Sequence, residues 1–191
     1  MTKKKPEVED VIMNEASAFE RVIISEAQIE ERVTELAAQI SEEYAQKQPI
    51  YLIAILKGAF IFLADLSRKL TIPHIVDFMA LSSYGNDTKS GAVRIVMDLR
   101  KSIEGCHVIL VEDIVDTGRT IAYLHETLLG RRAASIKTCV LLQKERENVD
   151  APIDYLGYKI PDVWVVGYGL DYAEAHRTLP YIAELKQSEY S

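Results

Sequence analysis

Seven consecutive apolar residues, Ile50–Leu56 (IYLIAIL), leave this chain no polar face over that stretch. An extended segment of this kind is stable only when both of its faces are covered, as in a parallel sheet lying between layers of helix. Further strand-like runs lie at Ile75–Leu81, Val108–Val111, Ile136–Leu142 and Val163–Tyr168. Val93–Leu99 differs, alternating apolar residues with Arg94 and Asp98, which suits a half-covered strand. Helical spacing fills the intervals. Ser25 and Gln28 fit a capping box, and Ile29, Val33, Leu36, Ala37, Ile40 and Tyr44 then form one face, predicting a helix over 26–46. Further helices are expected at 59–70, at 121–130 and, as a short terminal turn, at 181–185.

Strands alternating with helices predict an α/β domain, a mainly parallel central sheet flanked by helices. No internal repeat or linker divides residues 1–191, so a single domain is expected. Within it, 1–20 reads as a weakly ordered lead-in. A small hood lobe is expected from the N-terminal segment and about 143–191. Ser82–Gly91 (SSYGNDTKSG) is polar and bounded by glycine, the composition of a surface loop.

The net charge of −7 opposes non-specific nucleic-acid binding, which draws on a basic surface. No apolar run approaches the roughly 20 residues that cross a bilayer. The basic start, MTKKKPEVED, continues into acids rather than an apolar signal segment. Two cysteines, Cys106 and Cys139, are too few for a disulfide framework and lack metal-type spacing, so free thiols in the reducing cytoplasm are expected.

The chemistry concentrates in Val108–Thr120, VILVEDIVDTGRT. In a sheet of this kind, ligands bind beyond the carboxyl ends of the strands. Glu112 and Asp113 stand there, and adjacent strand residues point to opposite faces, so the two acids reach different parts of one ligand. Asp116, Thr117, Gly118, Arg119 and Thr120 follow, immediately before a helix. Free N–H groups and the positive end of the helix dipole make such a turn a phosphate cradle. Carboxylates for hydroxyls or a divalent cation, beside an anion site, describe a sugar phosphate. No GxxxxGK[ST] sequence points instead to a nucleoside triphosphate.

VILVEDIVDTGRT resembles the phosphoribosyl-pyrophosphate (PRPP) signature of the type I phosphoribosyltransferases. The resemblance runs along nearly the whole chain, to the hypoxanthine-guanine phosphoribosyltransferases of bacterial type. It is carried also by LKG at Leu56–Gly58, SSYG at Ser82–Gly85, LLQKE at Leu141–Glu145 and IPDVWVVGYGLDY at Ile160–Tyr172. The resemblance implies purine salvage: Mg²⁺-dependent transfer from PRPP to hypoxanthine or guanine, giving IMP or GMP and pyrophosphate. It implies that Glu112, Asp113 and the 116–120 turn hold the ribose 5-phosphate, and that Asp116 serves as the acid/base. Lys57, Gly58 and Arg177 would hold pyrophosphate, and Ser83 and Tyr84 would form a lid. Ile114, Lys144, Trp164, Val165 and Asp171 would bind the purine. Glu112, Asp113 and Asp171 would meet magnesium. Arg119 stands where relatives vary, often with lysine. Homodimers or homotetramers are usual in the family, and nucleic acid and membrane are not expected as partners. Two other readings remain open at this point, a ligand-sensing RNA-binding regulator of the same fold and an enzyme for another base such as xanthine.

Overall fold

The computed structural model describes residues 18–83, 93–146 and 151–190, the side chains of Ser83 and Val93 excepted. The lead-in residues 1–17 and most of the 82–91 loop lie outside the described residues. Six strands form the main sheet: β2 (Ile50–Leu56), β3 (Ile75–Ser83), β4 (Val93–Met97), β5 (His107–Val115), β6 (Ser135–Lys144) and β7 (Tyr155–Ile160). Their order is β4-β3-β2-β5-β6-β7. Every pairing is parallel except that of β3 with β4. A second, three-stranded antiparallel sheet has the order β1-β9-β8, with β1 at Phe19–Ile24, β8 at Val165–Val166 and β9 at Ile182–Leu185.

Among the described residues, three helices cover the main sheet: α1 (Glu26–Glu43), α2 (Phe60–Lys69) and α3 (Arg119–Leu129); α4 (Gln187–Tyr190) is a terminal turn. The capping box at α1 forms, Gln28 N–H donating to Ser25 Oγ at 3.3 Å and Ser25 N–H to Gln28 Oε1 at 2.9 Å. Each apolar strand splits between two cores. Leu52 and Ala54 of β2, with Ile109 and Val111 of β5, pack against Val33, Leu36 and Ile40 of α1 and Phe62 and Leu66 of α2. Ile53 and Ile55, with Val108 and Leu110, pack on the other face against Leu124 and Leu128 of α3. This two-sided burial is why the strands read as unbroken apolar runs.

Several elements differ from expectation. Tyr181–Leu185 is strand rather than helix: Ile182, Ala183 and Leu185 are buried, and β9 is held between β1 and β8. Partners distant in sequence decided that conformation. The expected strand Val163–Tyr168 shrinks to Val165–Val166, because Gly167 (φ 101°) and Tyr168 (φ 51°) turn the backbone. The segment after 143 is divided, with β7 joining the edge of the main sheet and β8 and β9 the small one. The strand at Val108 continues to Val115, so Glu112, Asp113 and Ile114 stand on sheet.

At the far end of the sheet from the carboxyl ends of its strands, Glu43 ties α1 to two strands. Lys137 of β6 lies 2.8 Å from Glu43 Oε1, and the Tyr155 hydroxyl of β7 donates to Oε2. The Lys137 contact, followed by the Tyr155 hydrogen bond, draws the Glu43 carboxyl down to about 2. A depressed carboxylate pKa stabilises the fold above the unfolded value, and that stabilisation is lost as pH falls toward 2. Glu43→Gln should therefore cost about 1–2 kcal/mol at pH 7. Urea unfolding at pH 7 and pH 3 checks this, with the smaller difference expected at pH 3.

Candidate active site

The chain reverses its direction of travel across the sheet between β2 and β5: from β2 it runs outward to β3 and β4, then returns to β5 and continues to β6 and β7. Such a switch point opens a crevice at the carboxyl ends of the two central strands. Here β2 ends in Lys57-Gly58 and β5 in Glu112–Asp116, which is where the candidate residues meet. A cleft of ≈360 Å³ is lined by Lys57, Gly58, Asp113, Ile114, Asp116, Lys144, Trp164, Val165, Leu170, Asp171 and Arg177. Nine of the expected residues outside the phosphate turn thus share one cleft with Asp116, and Leu170 is the addition that sequence reading missed. Its only signal was its place in an apolar run beside Asp171.

A smaller hollow of ≈90 Å³ adjoins it, lined by Glu112, Ile114, Val115, Asp116, Thr117, Gly118, Thr120 and Ile121. Its floor is the start of α3. Gly118 stands at the helix N-cap with φ 80°, a conformation glycine adopts without strain, and no side chain caps the helix. The hydroxyls of Thr117 and Thr120 and the leading N–H groups are thereby left for a ligand. Arg119 begins the helix and is exposed, outside both sets of lining residues.

Alternation along β5 sends the two acids apart. Glu112 lies on the α3 side, above Val140, and lines the small hollow; Asp113 lines the larger cleft. Glu112 is buried, its Oε2 has no hydrogen-bond partner, and burial followed by the neighbouring Asp113 charge pushes its carboxyl well above the ordinary range. Burial raises Asp113 to about 6, against the pull of backbone hydrogen bonds and Arg177. Asp113 packs so tightly on Gly58 that a Cβ there would stand 1.6 Å from Asp113 Oδ2, and a Cβ on Gly169 would stand 2.0 Å from Gly58 O. The peptide bond Leu56–Lys57 in this turn is cis.

Lys57 and Arg177 flank the mouth. Lys57 Nζ lies 2.8 Å from Glu174 Oε2; Arg177 Nη2 lies 2.8 Å from Asp171 Oδ1 and 3.4 Å from Glu174 Oε2. Trp164, also lining the cleft, is 44% exposed, unlike a core tryptophan. It stacks on Tyr190 with centroids 5.4 Å apart and meets Tyr172 edge-on at 5.7 Å, which props its ring at the cleft wall. Lys144 Nζ lies 3.2 Å from Asp162 Oδ1. Asp116 is paired with Arg146, a contact that spacing in sequence did not suggest. Ser83 ends β3, while its side chain and Tyr84 lie outside the described residues.

Larger hollows of ≈420 and ≈490 Å³ exist elsewhere. The first is lined by Asp65, Arg68, Lys69 and Glu30, which pair among themselves. Among the described residues, a buried carboxylate, further acids, an unshared helix start and an exposed aromatic face come together at the switch-point crevice.

The chain's similarities agree with that geometry. Residues 24–173 match the phosphoribosyl transferase domain. The chain is 48% identical over 154 residues to a hypoxanthine-guanine phosphoribosyltransferase of Dictyostelium discoideum, covering 78% of this chain and 86% of that one. A hypoxanthine phosphoribosyltransferase structure from Staphylococcus aureus superposes with a TM-score of 0.87 at 40% identity, covering 97% and 100% of the two chains. One from Trypanosoma cruzi, in complex with the product IMP, gives 0.84 at 43% identity over 91% and 98%.

Proposed function

The chain belongs to the phosphoribosyl transferase family, in its hypoxanthine-guanine group, and from that premise we propose how its own residues divide the work. It is an enzyme of purine salvage that transfers the phosphoribosyl group of PRPP to hypoxanthine or guanine, releasing pyrophosphate and IMP or GMP. The observation that carries the assignment of roles is the arrangement of the switch-point crevice. Trp164, Lys144, Asp113, Lys57 and Arg177 line one cleft, and the helix-start cup, lined by Glu112 and the 117–120 turn, adjoins it at Asp116.

The 5-phosphate sits in the cup at Thr117, Gly118 and Thr120, against threonine hydroxyls and the backbone N–H groups of the turn, that of Arg119 included. Glu112 and Asp113 face the ribose hydroxyls from the two sides of β5. The purine lies between Ile114 and Trp164, with Lys144 donating to its 6-oxo group. Adenine carries a 6-amino donor there and is disfavoured. Backbone groups at Val165 read the base edge. The nucleophilic ring nitrogen bonds to C1′ as the C1′–O bond to pyrophosphate breaks, and Asp116 takes the proton that the ring gives up. Lys57, Gly58 and Arg177 hold the departing pyrophosphate. Ser83 and Tyr84 serve as the lid that keeps water from the reacting carbon.

Magnesium suits this donor set. The buried Glu112 carboxyl and the partly buried Asp113, both raised in pKa, and Asp171 beside Arg177 offer hard oxygen ligands from one strand and a loop. Among the described residues no three His, Cys, Asp or Glu side chains form a metal-holding group by themselves. When bound, magnesium would neutralise charge developing on pyrophosphate. Oligomerisation as a dimer or tetramer and a cytoplasmic setting complete the reading; no described helix is long and apolar enough to cross a membrane.

The test is a base panel with PRPP and Mg²⁺: hypoxanthine, guanine, xanthine, adenine and uracil, followed by chromatography of the nucleotides. Conversion of hypoxanthine or guanine, with adenine and uracil inert, is expected; turnover of neither 6-oxopurine overturns the reading. Trp164→Ala should weaken purine binding by about 1–3 kcal/mol, roughly 5- to 150-fold in KM, with the KM for PRPP unmoved. Steady-state kinetics with each substrate varied in turn checks this.

A further inference from the structure

Asp116 sits on the bend between β5 and α3 with its side chain half exposed, and nothing in its own turn holds it. Among the described residues its ion-pair partner is Arg146, two residues beyond the end of β6. Arg146 is itself fixed from behind. Asp162, two residues beyond β7, takes its guanidinium in a two-pronged pair, Nε to Oδ2 at 2.6 Å and Nη2 to Oδ1 at 2.7 Å. The backbone there is also pinned, Glu145 N–H donating to Ile160 O at 2.8 Å. The same Asp162 oxygen Oδ1 lies 3.2 Å from Lys144 Nζ. Two cations and two anions thus form one line, Lys144–Asp162–Arg146–Asp116, across the C-terminal ends of β6 and β5.

Lys144 and Asp116 both line the cleft, whereas Arg146 and Asp162 do not. The brace therefore grips its two end groups from outside and leaves the purine space open. We infer that Arg146, anchored on Asp162, is a positioning residue: it holds the Asp116 carboxylate at the place where the purine proton arrives, and the shared Asp162 keeps Lys144 in register with it. A planar guanidinium suits this task, because its fork engages Asp162 with two N–H groups while a third reaches Asp116. The inference rests on the roles proposed above for Asp116 and Lys144.

Angular and positional errors at a reacting group are costly, of the order of 100-fold for a displacement near 1 Å. Arg146→Ala should lower kcat by about 10- to 100-fold with the KM for PRPP unchanged, and Arg146→Lys should restore only part of it. Asp162→Asn, which loosens both ends of the line, should also raise the KM for hypoxanthine. The decisive readout is a double-mutant cycle in kcat. If Arg146 acts through Asp116, then Arg146→Ala changes kcat little once Asp116→Asn is present. Equal fold-losses in both backgrounds would show that Arg146 merely supports the fold and would overturn the inference. So would an unchanged or raised kcat in Arg146→Ala alone. An unimpaired Asp116→Asn single variant would instead remove the role of Asp116 on which the inference stands.

Discussion

Asp116→Asn is expected to lower kcat by about 100- to 10,000-fold while PRPP binding stays nearly unchanged. The substitution keeps the shape and size of the side chain. It keeps an acceptor oxygen for Arg146 as well, so the turn and its phosphate cup have no reason to move. What disappears is the carboxylate that accepts the purine proton as the ring nitrogen bonds to C1′. Asp116 lines both the cleft and the adjoining cup, so it stands at the junction where base, ribose and phosphate must meet. Single-turnover kinetics separates chemistry from product release, and PRPP binding by calorimetry supplies the control. An unchanged single-turnover rate would remove Asp116 as the acid/base.

Gly58→Ala is expected to reduce kcat/KM for PRPP by at least about 100-fold at a folding cost of about 1–3 kcal/mol. The added methyl carbon would lie 1.6 Å from Asp113 Oδ2 and 2.4 Å from its Cγ. Asp113 must swing out, and with it goes one of the two acids assigned to the ribose. Relief by moving the Gly58 backbone is blocked on its other side by Gly169, whose α-carbon approaches Gly58 O. The damage is thus local to the pyrophosphate turn and the Asp113 wall. Thermal unfolding alongside initial rates at varied PRPP distinguishes this from general misfolding. A variant with wild-type KM and kcat would show that the turn and Asp113 have slack that the geometry denies them.

These two positions mark what was legible in the chain. Asp116 could be found because the whole acid–turn–helix unit is contiguous: an apolar strand, its end and a helix start within Val108–Leu129. The two-sided sheet was legible for the same reason, since double burial writes itself into each strand separately. Without the resemblance, Gly58 reads as an ordinary strand-to-helix turn. The need for a missing side chain comes from Asp113 and Gly169, 55 and 111 residues away along the chain. Nothing in the sequence singles out Arg146 and Asp162, because an ion-pair line across strand ends has no local pattern. Trp164 shows another limit: without the resemblance a lone tryptophan in an aliphatic strand reads as core packing, and its exposed ring with its support from Tyr190 reveals a free face. Tyr181–Leu185 was misread because a short apolar segment carries no period of its own, and β1 and β8 decided its state.

The central claim is that the β5–α3 turn holds the ribose phosphate while the purine stacks on Trp164. A crystal structure of the chain grown with IMP tests it most directly. The account predicts the 5′-phosphate within hydrogen-bond distance of the N–H groups of residues 117–120, the 6-oxo oxygen beside Lys144 Nζ and the base against the Trp164 ring. A nucleotide bound with its phosphate on Lys57 and Arg177, or with its base away from Trp164, would contradict it.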